Sequence, residues 1–572
     1  MFLRSLRQSW RLLYVILVPL LLLPIPFSLG GKAGWCAYIL LWMAFYWTAE
    51  AIPLPVTSFM PVILFPLFGI LSSAKVSTFY LNEIGILIVC SLTMAAAVES
   101  SNLHRRIALK SLLAIGTSNL RLLLGFMLVT MFLSMWIPNT ASTSIMAPIV
   151  MAVVDQMHAS SKLYKKNPEH PDHEALNAQD VADPVLNAGH LEKPKYPEID
   201  TDEDAGKVLM RKTMLLSVAY AANIGGTGSL IGTAPNLVLK GLFEELFPGS
   251  TELTFATWML YNVPTMIVCV LLAWIYLQWT ARSALLFCRN IPAPITSCAD
   301  LLRSVLLAEI FSSYPFSFPE TAVLSLMITM IILWFTLKPQ IFTGWVELFP
   351  HAKMIKPTVP AMAITFLLFI IPKNPRNPST SPPLLTWEEA NEKAQWGIAI
   401  LIGGGMCLAE ASKESGLSSI LVENLKSLEV LPTALTALIL CFAASMFTEI
   451  TSNTAVSSIL LPVVCEMAVA LQVHPLYLAL PVTIGCSFSF MLPAATPPNA
   501  IVFGLAKLKI LDMAKPGFIM NTICVLVEVA MIHALGFPIF GLTTYPSWAD
   551  HPKSGSGAVA NTTLVPHLDS SH

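Results

Sequence analysis

Four short polar motifs interrupt the apolar stretches of this 572-residue chain. Two are Asn-Thr turns, Ile137-Pro138-Asn139-Thr140 and Thr451-Ser452-Asn453-Thr454. Two are Thr-x-Pro-Asn turns, Thr233-Ala234-Pro235-Asn236 and Thr496-Pro497-Pro498-Asn499. All of them combine small hydroxyls and amides, and all but Thr451-Ser452-Asn453-Thr454 carry a helix-breaking Pro. A broken helix frees carbonyls on one side and N–H groups on the other. Carbonyl, hydroxyl and amide oxygens suit a hard, weakly held cation such as Na+. Helix N-termini and side-chain donors suit a carboxylate or similar anion. No Lys or Arg lies in any motif. Anion charge must then be balanced by bound cations and helix dipoles, which links anion binding to cation binding. The bland alternative is a set of kinks filled with small residues for close packing.

The motifs are related to one another. Adding 314 to Asn139, Thr140, Ala141 and Pro148 gives Asn453, Thr454, Ala455 and Pro462. The same offset carries Leu87, Ala95, Ala97, Ser101 and Leu103 onto Leu401, Ala409, Ala411, Ser415 and Leu417. The Thr-x-Pro-Asn pair is offset by 263, and the difference of 51 matches a polar insertion in the first half. Chance does not sustain one offset over so long a stretch, so the chain contains an internal repeat. Gly225-Gly226-Thr227-Gly228 and Gly232 read as an unwound stretch inside an apolar run. No strand precedes them and no lysine completes a phosphate loop, so a nucleotide site is set aside. Gly403-Gly404-Gly405 read as a surface for close helix packing.

The elements that carry these motifs must be membrane-spanning helices. Hydrophobic residues make up 55% of the chain and charged residues 12%, about half the charge of a soluble domain. That composition excludes a soluble enzyme. A net charge of −2 without a basic stripe excludes a nucleic-acid partner. The cysteines are scattered without a CxxC pair and suggest neither disulfides nor zinc. Fifteen apolar runs appear between residues 12 and 540. Joining the two runs around each Asn-Thr turn into a re-entrant hairpin leaves eleven crossings. Five of these separate Asn139 from Asn453, so the hairpins enter from opposite faces and the repeat is inverted, with a substrate site near the midplane. The fold expected is therefore all-α and polytopic, with eleven transmembrane helices and two re-entrant hairpins in an inverted-topology repeat.

The first run, after Arg4, Arg7 and Arg11, is read as a retained span with a cytoplasmic N-terminus. Basic residues at 105–121, 282–303, 373–393 and 507–515 mark internal loops. The loop with Glu244, Glu245 and Glu252 is external, as is the one with Lys338, Lys353 and Lys356. An odd number of crossings leaves the C-terminus outside, where the sequon at Asn561 could be glycosylated. The organisation expected is 1–11 cytoplasmic N-terminus, 12–34 first span, and 35–285 first repeat half with the cytoplasmic insertion 158–209. A cytoplasmic connector at 286–319, the second half at 320–543 and an extracellular tail at 544–572 follow. Residues 296–312 look amphipathic. Glu449, at a hairpin tip, either joins a cation or proton site or hydrogen-bonds the hairpin backbone.

Taken together, Phe132-Leu133-Ser134-Met135-Trp136-Ile137-Pro138-Asn139-Thr140-Ala141, Ile224-Gly225-Gly226-Thr227, Gly232-Thr233-Ala234-Pro235-Asn236, Thr451-Ser452-Asn453-Thr454 and Ala495-Thr496-Pro497-Pro498-Asn499-Ala500-Ile501-Val502 resemble the divalent-anion/sodium symporter family. More narrowly, the chain resembles the animal sodium-coupled di- and tricarboxylate cotransporters of solute carrier family 13. Asn102-Leu103-His104 with its basic pair and His474-Pro475-Leu476-Tyr477 fit that branch. The resemblance implies a plasma-membrane homodimer with scaffold and transport domains. It implies electrogenic uptake of succinate, citrate and related acids, with Na+ as co-transported ion and no other cofactor. It places one Na+ at Ser134, Asn139 and backbone near Gly232. A second falls at Thr448, the Thr451 backbone, Asn453 and backbone near Ala495. Substrate carboxylates fall to Asn139, Thr140, Thr233, Ser452, Asn453, Thr454, Thr496 and Pro497. Two departures stand out: Pro138 replaces the family's usual serine, and Ala494 a usual larger aliphatic. A sulfate symporter, a channel and a transport-deficient sensor are the competing readings.

Overall fold

The computed structural model describes residues 10–104, 106–107, 119–166, 205–280, 317–338, 343–393, 396–418, 420 and 431–549. Most of the insertion expected at 158–209, the stretch 296–312 and Asn561 lie outside the described residues. Helices of ten residues or more are labelled in order. The first half holds α1 Trp10–Leu22, α2 Gly31–Ala49, α3 Glu83–Ser100, α4 Asn119–Ser134, α5 Asn139–Lys166, α6 Ala205–Gly225, α7 Ala234–Leu246 and α8 Phe255–Thr280. The second holds α9 Phe318–Phe335, α10 Thr358–Ile370, α11 Trp396–Glu414, α12 Thr433–Phe447, α13 Asn453–Ala470, α14 Pro475–Gly485, α15 Pro497–Ala506 and α16 Ile510–Met531. No strand is present among the described residues.

The offsets in the sequence reappear as helices. α3, α4 and α5 correspond to α11, α12 and α13 at 314, and α7 corresponds to α15 at 263. Large apolar side chains such as Leu21, Phe27, Leu260, Ile275 and Trp279 are exposed, whereas Ser134, Asn223, Thr448 and Glu528 are buried. That is the polarity of a chain solvated by lipid. Among the described residues five helices are long and apolar enough to cross a bilayer: Trp10–Leu29, Phe255–Thr280, Phe318–Phe335, Asn453–Ala470 and Ile510–Phe540. A sixth counts if the bent pair Trp387–Lys393 and Trp396–Glu414 is one span. Other expected spans are short or broken, and proline explains several breaks. The run expected at 54–72 splits into Leu54–Thr57 and Met60–Leu67, with Pro53, Pro55 and Pro61 at the helix starts.

Ion pairs join segments distant in the chain: Arg106 meets Glu320 at 3.2 Å, Lys212 meets Asp512 at 2.6 Å and Lys356 lies 3.8 Å from Glu244. The triple glycine packs closely, as expected. A Cβ on Gly403, Gly404 or Gly405 would stand 2.9 Å from Tyr80, Ser58 or Ser458 respectively.

α4, α5, α6 and α8 pack together, as do α12, α13, α14 and α16. The short helices are exchanged between these groups. α7 of the first half packs on α13 and α14, and α15 of the second half packs on α5 and α6. Neither short helix was among the expected apolar runs. The exchange brings the N-termini of α5, α7, α13 and α15 to one place.

Candidate functional site

Asn139, Thr140, Gly232, Thr233, Thr451, Ser452, Asn453, Thr454, Ala495, Thr496 and Pro497 line a single cavity of about 760 Å³. The eight positions expected to meet substrate are all there. No Lys, Arg or His lines it among the described residues. Ser134 and Thr448 stand behind the wall, both fully buried.

The helix starts explain why the cavity suits an anion. Ser142 N–H bonds to Pro138 O at 3.1 Å and Val456 N–H to Ser452 O at 3.0 Å. Those are the first intrahelical bonds of α5 and α13, so the N–H groups of the three preceding residues have no helical partner. A capping hydroxyl ordinarily takes one of them. Ser452, Thr233 and Thr496 occupy N-cap positions, yet none makes a side-chain cap bond. Hydroxyls and orphan N–H groups are therefore both left to the cavity, at the positive ends of the helix dipoles.

Behind each Asn-Thr turn lies a cluster of oxygens. Ser134 Oγ is 2.5 Å from Asn139 Oδ1 and 2.8 Å from Ala222 O. Thr448 Oγ1 is 2.5 Å from Asn453 Oδ1 and 2.9 Å from Cys486 O. A hydroxyl has one proton and can satisfy only one of its two neighbours at a time. Three oxygens sharing one proton form an electron-rich site that a cation relieves. The carbonyls of Ala222 and Cys486 were not expected from sequence, because a helix-end carbonyl has no residue signature.

The unwound segments that open the helices are braced by the fourth motif residue. Asn236 Nδ2 donates to Gly226 O at 3.1 Å and Ser229 O at 2.8 Å. Asn499 Nδ2 donates to Ser489 O and Leu492 O, both at 3.0 Å. These asparagines are fully buried and do not line the cavity. α14 stops at Gly485 and an unwound segment follows. Glu449 braces that segment: it accepts hydrogen bonds from the N–H groups of Phe490, Met491 and Leu492 at 2.6–3.0 Å, and from Asn521 Nδ2 at 2.7 Å. Glu449 does bond backbone, but that of residues 490–492 and not of its own hairpin. In the first half Met135 stands at the equivalent place, and its carbonyl accepts from Ser229 Oγ.

Asn223 was missed by sequence reasoning. It lines the cavity, and its Nδ2 reaches across to the second half, 2.9 Å from Ser489 O and 3.3 Å from Thr496 Oγ1. It sits in an apolar helix immediately before the Ile224-Gly225-Gly226-Thr227 motif, one residue outside the stretch that the sequence singles out. Close approach is also built into the glycines: a Cβ on Gly225 would lie 2.5 Å from Met131 O, and one on Gly232 2.5 Å from Gly226 O. At the first turn Pro138 fits because the position asks for its φ. The equivalent Ser452 has φ −59° and ψ 133°, within the range proline imposes.

Known proteins match this chain along its length. A family model described as "Sodium:sulfate symporter transmembrane region" matches residues 6–542. The human "Solute carrier family 13 member 2" is 40% identical, with 96% of this chain and 97% of that protein covered. The mouse "Na(+)/dicarboxylate cotransporter 3" is 38% identical over 96% of each chain. The rat "Na(+)/citrate cotransporter" is 37% identical over 94% and 97%. Among solved structures, the YdaH transporter of Alcanivorax borkumensis is similar in fold, with a TM-score of 0.51 and 13% identity over 82% of this chain and 89% of that one.

Proposed function

The chain belongs to the sodium:sulfate symporter family, and on that premise we propose that it couples inward Na+ movement to the uptake of di- and tricarboxylates such as succinate and citrate. It is a multi-pass membrane protein of a transporter family and not an enzyme. The observation that carries the reading is the duplicated oxygen cluster set behind a cavity into which four helix N-termini open. Ser134, Asn139, Ala222 O and backbone near Gly232 hold one Na+. Thr448, Asn453, Cys486 O and backbone near Thr451 and Ala495 hold the other. The carboxylates meet Asn139, Thr140, Thr233, Ser452, Asn453, Thr454, Thr496 and Pro497. One amide serves cation and anion together in each half, which ties the two fluxes. Carboxylate is favoured over sulfate because relatives at 37–38% identity are named for dicarboxylate or citrate. The protein acts in this reading as a plasma-membrane homodimer, with its N-terminus cytoplasmic and its C-terminus outside. Its eleven crossings and two hairpins work by alternating access. No resident cofactor is needed.

The test is radiolabelled succinate, citrate and sulfate uptake in expressing cells, in Na+ and in choline. Saturable succinate or citrate uptake only in Na+ is the expected result. Sulfate uptake alone, or a flux that does not saturate, would replace the reading. With no fixed cation in the cavity, bound Na+ must neutralise and exceed the anion charge. Voltage clamp should therefore record an inward current on adding substrate in Na+. Electroneutral uptake would show that the charge balance is struck otherwise.

Pro138 removes from the first turn a hydroxyl that Ser452 offers at the second. Losing one oxygen neighbour of about 1 kcal/mol should weaken Na+ binding roughly fivefold. Pro138→Ser should lower the Na+ concentration for half-maximal uptake by about that factor, with the substrate range unchanged. An unchanged or higher Na+ requirement would show that Pro138 does not weaken the site.

A further inference from the structure

The cavity holds an anion in the proposed reading, yet among the described residues lining it the only charged side chain is an acid, Glu50. Glu50 follows the last residue of α2 and adopts a left-handed conformation, φ 47° and ψ 34°. That turn brings its exposed side chain onto the cavity wall. Among the described residues its carboxylate has no ion pair or hydrogen-bond partner. Glu449, by contrast, has its carboxylate occupied by three backbone N–H groups and an amide. The end of α2 is also fixed to the site, because Thr451 Oγ1 donates to Trp47 O at 3.0 Å. The negative end of the α2 dipole and the Glu50 carboxylate thus face the same cavity as the positive helix ends.

We propose that Glu50 is a charge filter, a specificity-determining residue that penalises each additional negative charge on the anion in the cavity. The proposal rests on the carboxylate-uptake reading and deepens it. A unit charge on the wall of a cavity this size acts on every charge of the ligand, so a trianion is disfavoured more than a dianion by one charge–charge interaction. Across roughly 10 Å, between the screening of water and that of a protein surface, that difference is about three- to tenfold in affinity. Glu50 need not touch the substrate to do this.

The test compares Vmax/KM for citrate with that for succinate, at a pH where citrate is fully ionised, in wild type and three variants. Glu50→Gln removes the charge. Glu50→Asn also removes it, with a side chain that tolerates the left-handed backbone. Glu50→Asp keeps it. The citrate-to-succinate ratio is expected to rise about three- to tenfold in both neutral variants and to stay at the wild-type value in Glu50→Asp. A merely structural role would lower both uptakes together and leave the ratio alone. An unchanged ratio in a neutral variant that reaches the surface overturns the proposal. So does an equal shift in Glu50→Asp, which would mean shape rather than charge, and so does failure of both neutral variants to reach the surface. Wild type with no Na+-dependent uptake of either acid would instead sink the transport reading itself.

Discussion

Asn139→Ala and Asn453→Ala should each lower Na+-dependent carboxylate uptake by roughly a hundredfold, with the protein still at the cell surface. Both amides occupy the same position in the repeat, at the first residue of α5 and α13. Each Oδ1 is held 2.5 Å from a buried hydroxyl, Ser134 or Thr448. Alanine removes that oxygen from the cation cluster and also removes the amide N–H from the cavity wall. A hydrogen bond to a charged partner is worth about 1.5–3 kcal/mol. Losing one such contact to Na+ and one to the carboxylate multiplies into two orders of magnitude or more. The fold should tolerate the change, because both positions lie at the cavity and alanine is a good helix former. Uptake normalised to surface-labelled protein checks this. Wild-type rates in either variant would remove that amide from the site.

Glu449→Ala should produce the largest loss of folded protein. Its carboxylate is the acceptor for Phe490, Met491 and Leu492 N–H and for Asn521 Nδ2, and these donors have no water within the packed core to replace it. Leaving several buried donors unsatisfied costs about 3–5 kcal/mol, a large part of a protein's total stability. Residues 490–492 would lose their shape, and with them the approach to Thr496. Glu449→Gln keeps one acceptor oxygen and should fall between alanine and wild type. Detergent-solubilised protein melting at the wild-type temperature for Glu449→Ala would show that the carboxylate is dispensable. Surface expression at wild-type level would say the same in cells. The first half needs no such acid, since Ser229 Oγ bonds to Met135 O and Trp258 Nε1 to Thr227 O there.

Composition, the two offsets of 314 and 263, and the four polar motifs were enough to read an all-helical membrane protein with a repeat and to propose the ion and anion site on it. These features are local or periodic, and a lipid environment makes them legible. In hydrocarbon every backbone group must be paired, so apolar runs must be helices, and polar breaks are tolerated only where they line a cavity or are buried in protein. Three things depended on the tertiary structure. α7 and α15 are too short to register as spans, and only packing shows that each is exchanged into the other half, which is why four helix N-termini meet. Asn223, Ala222 O and Cys486 O enter the site through contacts between segments 38–273 residues apart, and no spacing in the chain records that. Glu449 carried two readings in the sequence, since a carboxylate can ligate a cation or accept from N–H groups with the same oxygens. Which of them it does is decided by what the fold places 2.6–3.0 Å away, because a hydrogen bond is specified by the position of both partners and the sequence names only one.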